Sequence, residues 1–324
     1  MLHKIDINDF INSKGVRLPN FSLSYQIFGQ SLQTAPIVMI NHALTGNSNV
    51  AGDTGWWSDL VGEHRSIDTT RFTVLSFNIP GNGYGEKTPF MVDDFNALTA
   101  YDVASVFCKG LAFLGVKQLF ALMGGSVGGA IAWEMIALQP NFVRYFIPIA
   151  TDWKSTNWIK ANCKIQDQIL INSVNPVHDA RVHAMTLYRT PASLKYKFPK
   201  TNNYYDEKNT VEAWLLHHGK ELNARFSLSA YKLLNYILSS IDITRGQNNF
   251  ESILAPFTGN ILIISIKSDM FFTLEEDLET VARLRKLNKN ITHYIIDSIH
   301  GHDAFLIEFK KLNACLQSIF TKGV

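Results

Sequence analysis

The sequence predicts an α/β protein: a mostly parallel sheet with helices on both faces and an inserted helical lid over the sheet's carboxyl edge. Three observations carry this. Up to residue 150, short apolar runs suited to buried strands alternate with stretches at helical spacing. Residues Gln118 to Leu138, QLFALMGGSVGGAIAWEMIAL, read as strand, sharp turn and helix. From Ser155 to about Thr244 helical periods dominate, and strand-like runs resume afterwards.

In chain order, Phe21 to Phe28 (FSLSYQIF) alternates as a half-exposed strand would, and Gly29 to Pro36 makes a turn. Ile37 to Asn41 (IVMIN) suits a central strand and ends at the small-residue loop His42-Ala43-Leu44-Thr45-Gly46. Thr70 to Phe77 is a further strand, followed by a Gly- and Pro-rich loop, Asn78 to Gly85. Phe95 to Leu114 has apolar residues at helical spacing, with acids early and Lys109 late, as a helix dipole prefers. Leu119 to Leu122 runs into Gly124-Gly125-Ser126-Val127-Gly128 before helical spacing resumes, and Val143 to Ala150 is the next strand. Three helical runs then follow, WIKANCKIQDQILIN, DARVHAMTLYRTPASLKYKF and VEAWLLHHGKELNARFSLSAYKLLNYILSSID. Asn260 to Ile266 returns to strand and ends at Lys267-Ser268-Asp269. Leu274 to Leu287 reads as a helix, Ile291 to Asp297 as the last strand, Ser298 to Asp303 as a loop and Ala304 to Phe320 as a closing helix. The expected division is a discontinuous core, residues 1–150 and 245–324, interrupted by a lid at residues 151–244.

Composition narrows the function classes. At 324 residues, 46% apolar and 18% charged, the chain has the makeup of a soluble globular protein with one large core. A net charge of +2, with Lys and Arg scattered, makes no case for nucleic acid or an anionic membrane as partner. Cys108, Cys163 and Cys315 lie far apart without a C-x-x-C pair, so neither a disulfide framework nor a metal site is expected, and a reducing cytoplasm fits. The N-terminal MLHKIDINDF carries acids and lacks the apolar core of a signal peptide. Phe120 to Leu138 is apolar enough to suggest a membrane span, but its glycines, Ser126 and Glu134 argue for the centre of a sheet and its crossover helix.

The chemistry centres on the G-x-S-x-G turn. Such a turn holds a serine in a strained backbone conformation with its hydroxyl exposed at the carboxyl edge of the sheet. The backbone N–H of Val127, at the start of the following helix, then faces any oxyanion formed on a carbonyl attacked by Ser126. The loop after Ile37 to Asn41 is placed to supply the second oxyanion donor, the N–H of Leu44. A serine hydroxyl needs an imidazole to take its proton and a carboxylate to orient that imidazole, in the chain order Ser, acid, His. Asp269, just beyond a buried strand, is favoured over Asp277 and Asp297, although a turn aspartate is the bland reading. His300 and His302 both sit in the loop after the last strand, and spacing does not choose between them.

HALTG (42–46), GWW (55–57), IDTTRFTVLSFNIPGNGYG (67–85), GGSVGG (124–129), SD (268–269) and GHDAFL (301–306) together resemble the homoserine O-acetyltransferase family, enzymes of the α/β-hydrolase fold. The resemblance implies Ser126 as nucleophile, Asp269 as acid and His302 as base. It implies acyl transfer from acetyl-CoA to the side-chain hydroxyl of L-homoserine by a ping-pong route in methionine biosynthesis, with no bound cofactor or metal. It also implies that Arg181 and Tyr188, seven residues apart in DARVHAMTLYR, and Asp303 bind the acceptor, guanidinium to carboxylate and Asp303 to ammonium. The bland alternatives are a lid-internal ion pair for Arg181 and a helix N-cap for Asp303. A homodimer through the helical lid is expected in the same way. Val127 stands where the family usually has methionine, the segment between Gln168 and Arg181 is shorter than usual, and Pro89 to Thr99 matches loosely.

Competing readings are an esterase or thioesterase that gives the acyl group to water, a relative using succinyl-CoA or serine, and a non-catalytic binding protein. The intact set Ser126, Asp269 and His302 counts against the last.

Overall fold

The computed structural model describes residues 1–85, 95–199, 210–246 and 249–322, so residues 89–94 of the loosely matching stretch lie outside it. β1 (Leu2–Ile7), β2 (Phe21–Gly29), β3 (Ile37–Asn41), β6 (Thr73–Phe77), β7 (Leu119–Gly125), β8 (Val143–Ile149), β9 (Asn260–Ile266) and β10 (Ile291–Ile296) form one sheet in the order β1-β2-β6-β3-β7-β8-β9-β10. β4 (Val61–Gly62) and β5 (Ile67–Asp68) make a separate small parallel pair. Pairing is parallel from β6 through β10, while β1 and β2 pair antiparallel at one edge. The sheet is therefore mostly parallel, as expected, with an antiparallel border that the sequence reading omitted.

β3 pairs with β6 on one side and β7 on the other, so the chain reverses its direction of travel across the sheet at this point. Ligands bind at such switch points, in the crevice beyond the carboxyl ends of the strands. The loop holding Leu44 leaves β3 and the turn holding Ser126 leaves β7, which puts both at that crevice.

Helices cover both faces. α1 (Ala100–Phe113) and α2 (Val127–Leu138) pack together on one face. α10 (Phe309–Lys322) packs on the other, its Leu312, Leu316 and Ile319 sharing one buried cluster with Val38, Ile40 and Val74 of the sheet. α2 is buried from Val127 through Ile136, which accounts for its continuous apolarity. Among the described residues no helix is long and apolar enough to cross a membrane.

α1 is shorter than its apolar spacing suggests because Thr99 and Asp102 form a reciprocal capping box that fixes its start. Between β8 and β9 lie α3 (Asn157–Asn172), α4 (Pro176–Tyr188), α5 (Pro191–Lys197), α6 (Val211–Arg225), α7 (Leu228–Ser239) and the short α8 (Phe250–Leu254). Two of the three expected helical runs are broken. Thr190 caps α5 with Pro191 at its first position, and Ser227 caps α7. α9 (Leu274–Lys286) follows β9, with three acids in its first turn and three bases in its last. The closing helix does not begin at Ala304. Residues Gly301–Leu306 form a 3-10 turn and α10 starts at Phe309, because Gly301 at φ 66 turns the chain before a helix is established.

Candidate active site

Ser126 has φ 56 and ψ −133, in the left-handed half of the map that a residue with a Cβ avoids. Its N–H donates to Ile149 O at 3.0 Å and its carbonyl accepts from Ala130 N–H at 3.1 Å, so β8 and α2 hold the turn on both sides. The flanking glycines are required by contact. A Cβ on Gly128 would stand 2.4 Å from the Asn41 carbonyl, and one on Gly124 would stand 2.5 Å from the Gly128 backbone. The nucleophile turn is therefore pressed against the end of β3.

Three loops converge here. His302 Nε2 lies 2.9 Å from Ser126 Oγ, and His302 Nδ1 lies 2.7 Å from Asp269 Oδ2. The other carboxylate oxygen of Asp269 accepts from the N–H groups of Phe271 and Phe272, at 2.7 and 3.0 Å. Asp269 is thus fixed by its own backbone turn and aimed at the imidazole, and the rings of Tyr188, Phe271, Phe272 and Phe305 surround that imidazole at 5.4 to 5.7 Å. His300 instead sits 2.9 Å from Ser193 Oγ, away from Ser126. Asp297 pairs with Lys267 at 3.4 Å. Asp277 is buried in the first turn of α9, behind Asp269, where burial and the nearby Asp152 raise its carboxyl well above the ordinary range.

Val127, at the first position of α2, and Leu44, beyond β3, make no backbone hydrogen bond through their N–H groups among the described residues. Val127 in place of methionine changes only a side chain that is fully buried; the N–H is retained. Behind the Leu44 loop stands His42, whose role sequence reasoning missed. Its Nδ1 donates to Ala43 O at 2.7 Å and its Nε2 accepts from Ile79 N–H at 3.0 Å. That pairing requires a neutral ring, and burial lowers the His42 pKa to about 4. The only sequence signal was position, a histidine immediately after a buried strand.

Arg181, Tyr188 and Asp303 do come together at the triad. The Arg181 guanidinium lies over the Tyr188 ring at 5.7 Å, and that ring is 5.5 Å from His302. Burial pushes the Tyr188 phenol up to about 12, keeping it a neutral hydrogen-bond donor. Among the described residues Arg181 has no hydrogen-bond or ion-pair partner, so the lid-internal ion pair is not formed. Asp303 is not an N-cap either, since it lies within the 3-10 turn. Burial raises its carboxyl above the usual range, against the opposing pull of Arg181, His302 and Arg189. A small cavity lined by Leu44, Cys163, Tyr188, Tyr231, Asn235 and Phe271 lies among the lid helices, and of Arg181, Tyr188 and Asp303 only Tyr188 lines it. Among the described residues no cluster of His, Cys, Asp or Glu could hold a metal ion.

A family model described as the alpha/beta hydrolase fold matches residues 36–309. A homoserine O-acetyltransferase from Chloroherpeton thalassium is 30% identical over 92% of this chain and 83% of its own length. The chain belongs to the homoserine O-acetyltransferase family. Among solved structures, the homoserine O-acetyltransferase from Staphylococcus aureus superposes with a TM-score of 0.86 at 23% identity, covering 100% of this chain and 96% of that one. An acetylester hydrolase from Corynebacterium glutamicum superposes with a TM-score of 0.79 at 17% identity, covering 99% and 96%. These two likenesses show a fold shared by transferases and hydrolases, so chemistry has to be argued from the site. The homoserine O-acetyltransferase landmarks quoted from the sequence fall on the loops described here: the Leu44 loop, the serine turn, the Asp269 turn and the His302 loop.

Proposed function

We propose that this protein transfers an acetyl group from acetyl-CoA to the side-chain hydroxyl of L-homoserine through an acyl-serine intermediate. The carrying observation is the Ser126–His302–Asp269 chain with a guanidinium, Arg181, that has no hydrogen-bond or ion-pair partner among the described residues, and a carboxyl group, Asp303, beside it. An amino acid brings an anionic and a cationic end, and a site with one group of each sign suits it.

In the first half-reaction His302 Nε2 takes the Ser126 proton as Oγ attacks the thioester carbon. Leu44 and Val127 N–H groups stabilise the tetrahedral oxyanion, and His302 returns the proton to the departing thiolate. In the second, homoserine enters with its carboxylate on Arg181, Tyr188 alongside and its ammonium at Asp303. His302 takes the proton from its hydroxyl, the oxygen attacks the acyl-serine, and the proton returns to Ser126 Oγ as the ester leaves. The aromatic wall around His302 favours an alcohol over water as acceptor by keeping the empty pocket dry. The reading carries with it a cytoplasmic homodimer working in methionine biosynthesis, with no bound cofactor. Three buried, unpaired cysteines suit a reducing compartment.

The test follows free CoA from purified protein given acetyl-CoA or succinyl-CoA, with and without L-homoserine or L-serine. Thiol release from acetyl-CoA that requires homoserine supports the proposal. Release indifferent to any amino acid makes the protein a thioesterase, and a preference for succinyl-CoA or serine moves it to a related transferase. Arg181→Ala is expected to impair the homoserine half-reaction by about 100-fold while acylation of Ser126 falls far less. Equal loss in both halves removes its assigned role.

A further inference from the structure

Beyond the catalytic group, the lid gathers cations along one strip. Trp214, His218 and Arg225 fall on one face of α6. At one end the exposed Arg225 donates through Nη1 to Thr45 O at 2.9 Å, one residue past Leu44. At the other end the Trp214 ring meets the Arg189 guanidinium at 5.5 Å, the His218 ring at 4.5 Å and the Phe198 ring at 6.0 Å. The Lys197 ammonium stands 5.7 Å from that Phe198 ring and is otherwise exposed. From Trp214 to Arg225 the helix rises about 16 Å, the scale of an extended pantetheine arm.

The positive groups of this strip act on one another. Burial, then Arg181, His217, Arg189 and Lys197, lower the His218 pKa to about 4. Burial and Arg181 lower Arg225, with Glu221 opposing, and Asp303 is the acid that opposes burial at Arg189. Crowded like charges raise the free energy of the empty protein, and an arriving anion relieves it.

Resting on the acyltransferase reading above, we propose that Arg189, Lys197 and His218, grouped around Trp214, hold the phosphate groups of a coenzyme A-type donor, with its arm lying along α6 toward Leu44. Guanidinium and ammonium groups suit phosphate oxygens, and His218 gains its proton as the anion arrives. The nucleotide then contributes affinity through groups that adjoin the acceptor's, since Arg181 acts on His218 and Asp303 acts on Arg189.

The experiment has two arms on the full-length protein. 3′,5′-ADP, the phosphate-bearing end alone, is titrated by calorimetry at two salt concentrations. In parallel, kcat/KM is compared for acetyl-CoA and S-acetylpantetheine, which lacks the phosphates. Wild type is expected to bind 3′,5′-ADP less tightly as salt rises, and to favour acetyl-CoA by about tenfold or more. Lys197→Glu, at an exposed position that leaves folding intact, is expected to weaken 3′,5′-ADP by about tenfold and to shrink the donor preference in proportion. Arg189→Ala is the second variant, checked for folding by circular dichroism because Arg189 also bonds Ser193. No binding of 3′,5′-ADP by wild type, or affinity kept within about twofold by both variants, overturns the phosphate site whether or not acyl transfer occurs. Binding as expected, with no acyl transfer from either donor, leaves the phosphate site standing and removes the acyltransferase reading instead.

Discussion

At the scale of single residues, His42 shows how a group that touches no reacting atom governs the reaction. It ties the loop carrying Leu44 to the chain at Ile79, and it does so as a neutral ring. Replacing it with alanine leaves the buried Ile79 N–H unpaired and frees the Leu44 loop, at a cost of about 1–3 kcal/mol in stability. His42→Ala is expected to lower kcat by roughly 10²-fold, the loss of one oxyanion donor, with KM for the donor little changed. A matched fall in kcat/KM carried wholly by KM would give His42 no part in positioning Leu44. Asp269→Asn is expected to keep the bonds from Phe271 and Phe272 but to lose the charge that orients His302, lowering kcat on the order of 10³–10⁴-fold. Ser126 and Asp269 were legible in the sequence because each follows a buried strand at the sheet's carboxyl edge. His302 was not separable from His300 by spacing, since one glycine lies between them and only the fold decides which ring reaches Ser126. His42, Arg189 and Arg225 were missed because their meaning lies in contacts across long stretches of chain.

At the scale of elements, the lid and the catalytic loop are joined more closely than their sequence separation suggests. Gly301 has φ 66, and a Cβ there would stand 2.8 Å from the Tyr188 carbonyl and 3.1 Å from the Thr190 side chain. Thr190 caps α5 and also donates its hydroxyl to the Ile299 carbonyl, so the end of α4 and the start of α5 rest on the His302 loop. Gly301→Ala forces both a left-handed alanine and a backbone contact, and the loop must shift with His302 attached. The expected result is a stability loss of about 1–2 kcal/mol with a fall in kcat of at least roughly tenfold, read by urea unfolding and by the thiol-release assay. Unchanged kcat in a destabilised variant would show that the lid does not set the position of His302. Central strands were read correctly since continuous apolar runs between turn residues admit few alternatives. β1 was overlooked although Ile5 and Ile7 alternate with exposed residues, because an edge strand needs only one buried face and its pattern is short. Helix ends inside the lid were lost for a different reason, since capping threonines and serines interrupt apolar spacing without abolishing it.

At the scale of the whole molecule, buried ionisable groups pull stability in opposite directions with pH. Glu134, 1% exposed on α2, has its pKa raised to about 7 chiefly by burial, against the pull of Arg245, whose guanidinium lies 3.8 Å away. One of its carboxylate oxygens has no hydrogen-bond partner among the described residues. A carboxyl whose folded pKa lies above its unfolded value stabilises fully below the unfolded value, and that contribution disappears as pH rises through the folded one. For Glu134 the window runs from about 4.5 to about 7. Asp152, raised to about 7 by burial, acts with the same sign. His42 acts oppositely: with a folded pKa of about 4 against 6.5, its contribution is complete above the unfolded value and is lost as pH falls through the folded one. The two windows overlap, so in wild type the slopes partly cancel between pH 4.5 and 6.5. Glu134→Gln removes one of them. The variant keeps the acceptor oxygen and drops the charge, so it is expected to match wild type near pH 4.5 and to exceed it by roughly 3 kcal/mol near pH 8. Urea unfolding of both proteins at these two pH values measures the difference directly, and the contributions of Asp152 and His42 drop out because both proteins share them. A constant difference across that range would mean that Glu134 is already ionised in the folded protein at pH 4.5, stabilised there by Arg245 strongly enough to outweigh its burial. The helix that presents Ser126 would then contain a buried ion pair, and Arg245→Ala would become the variant most destabilised at pH 8.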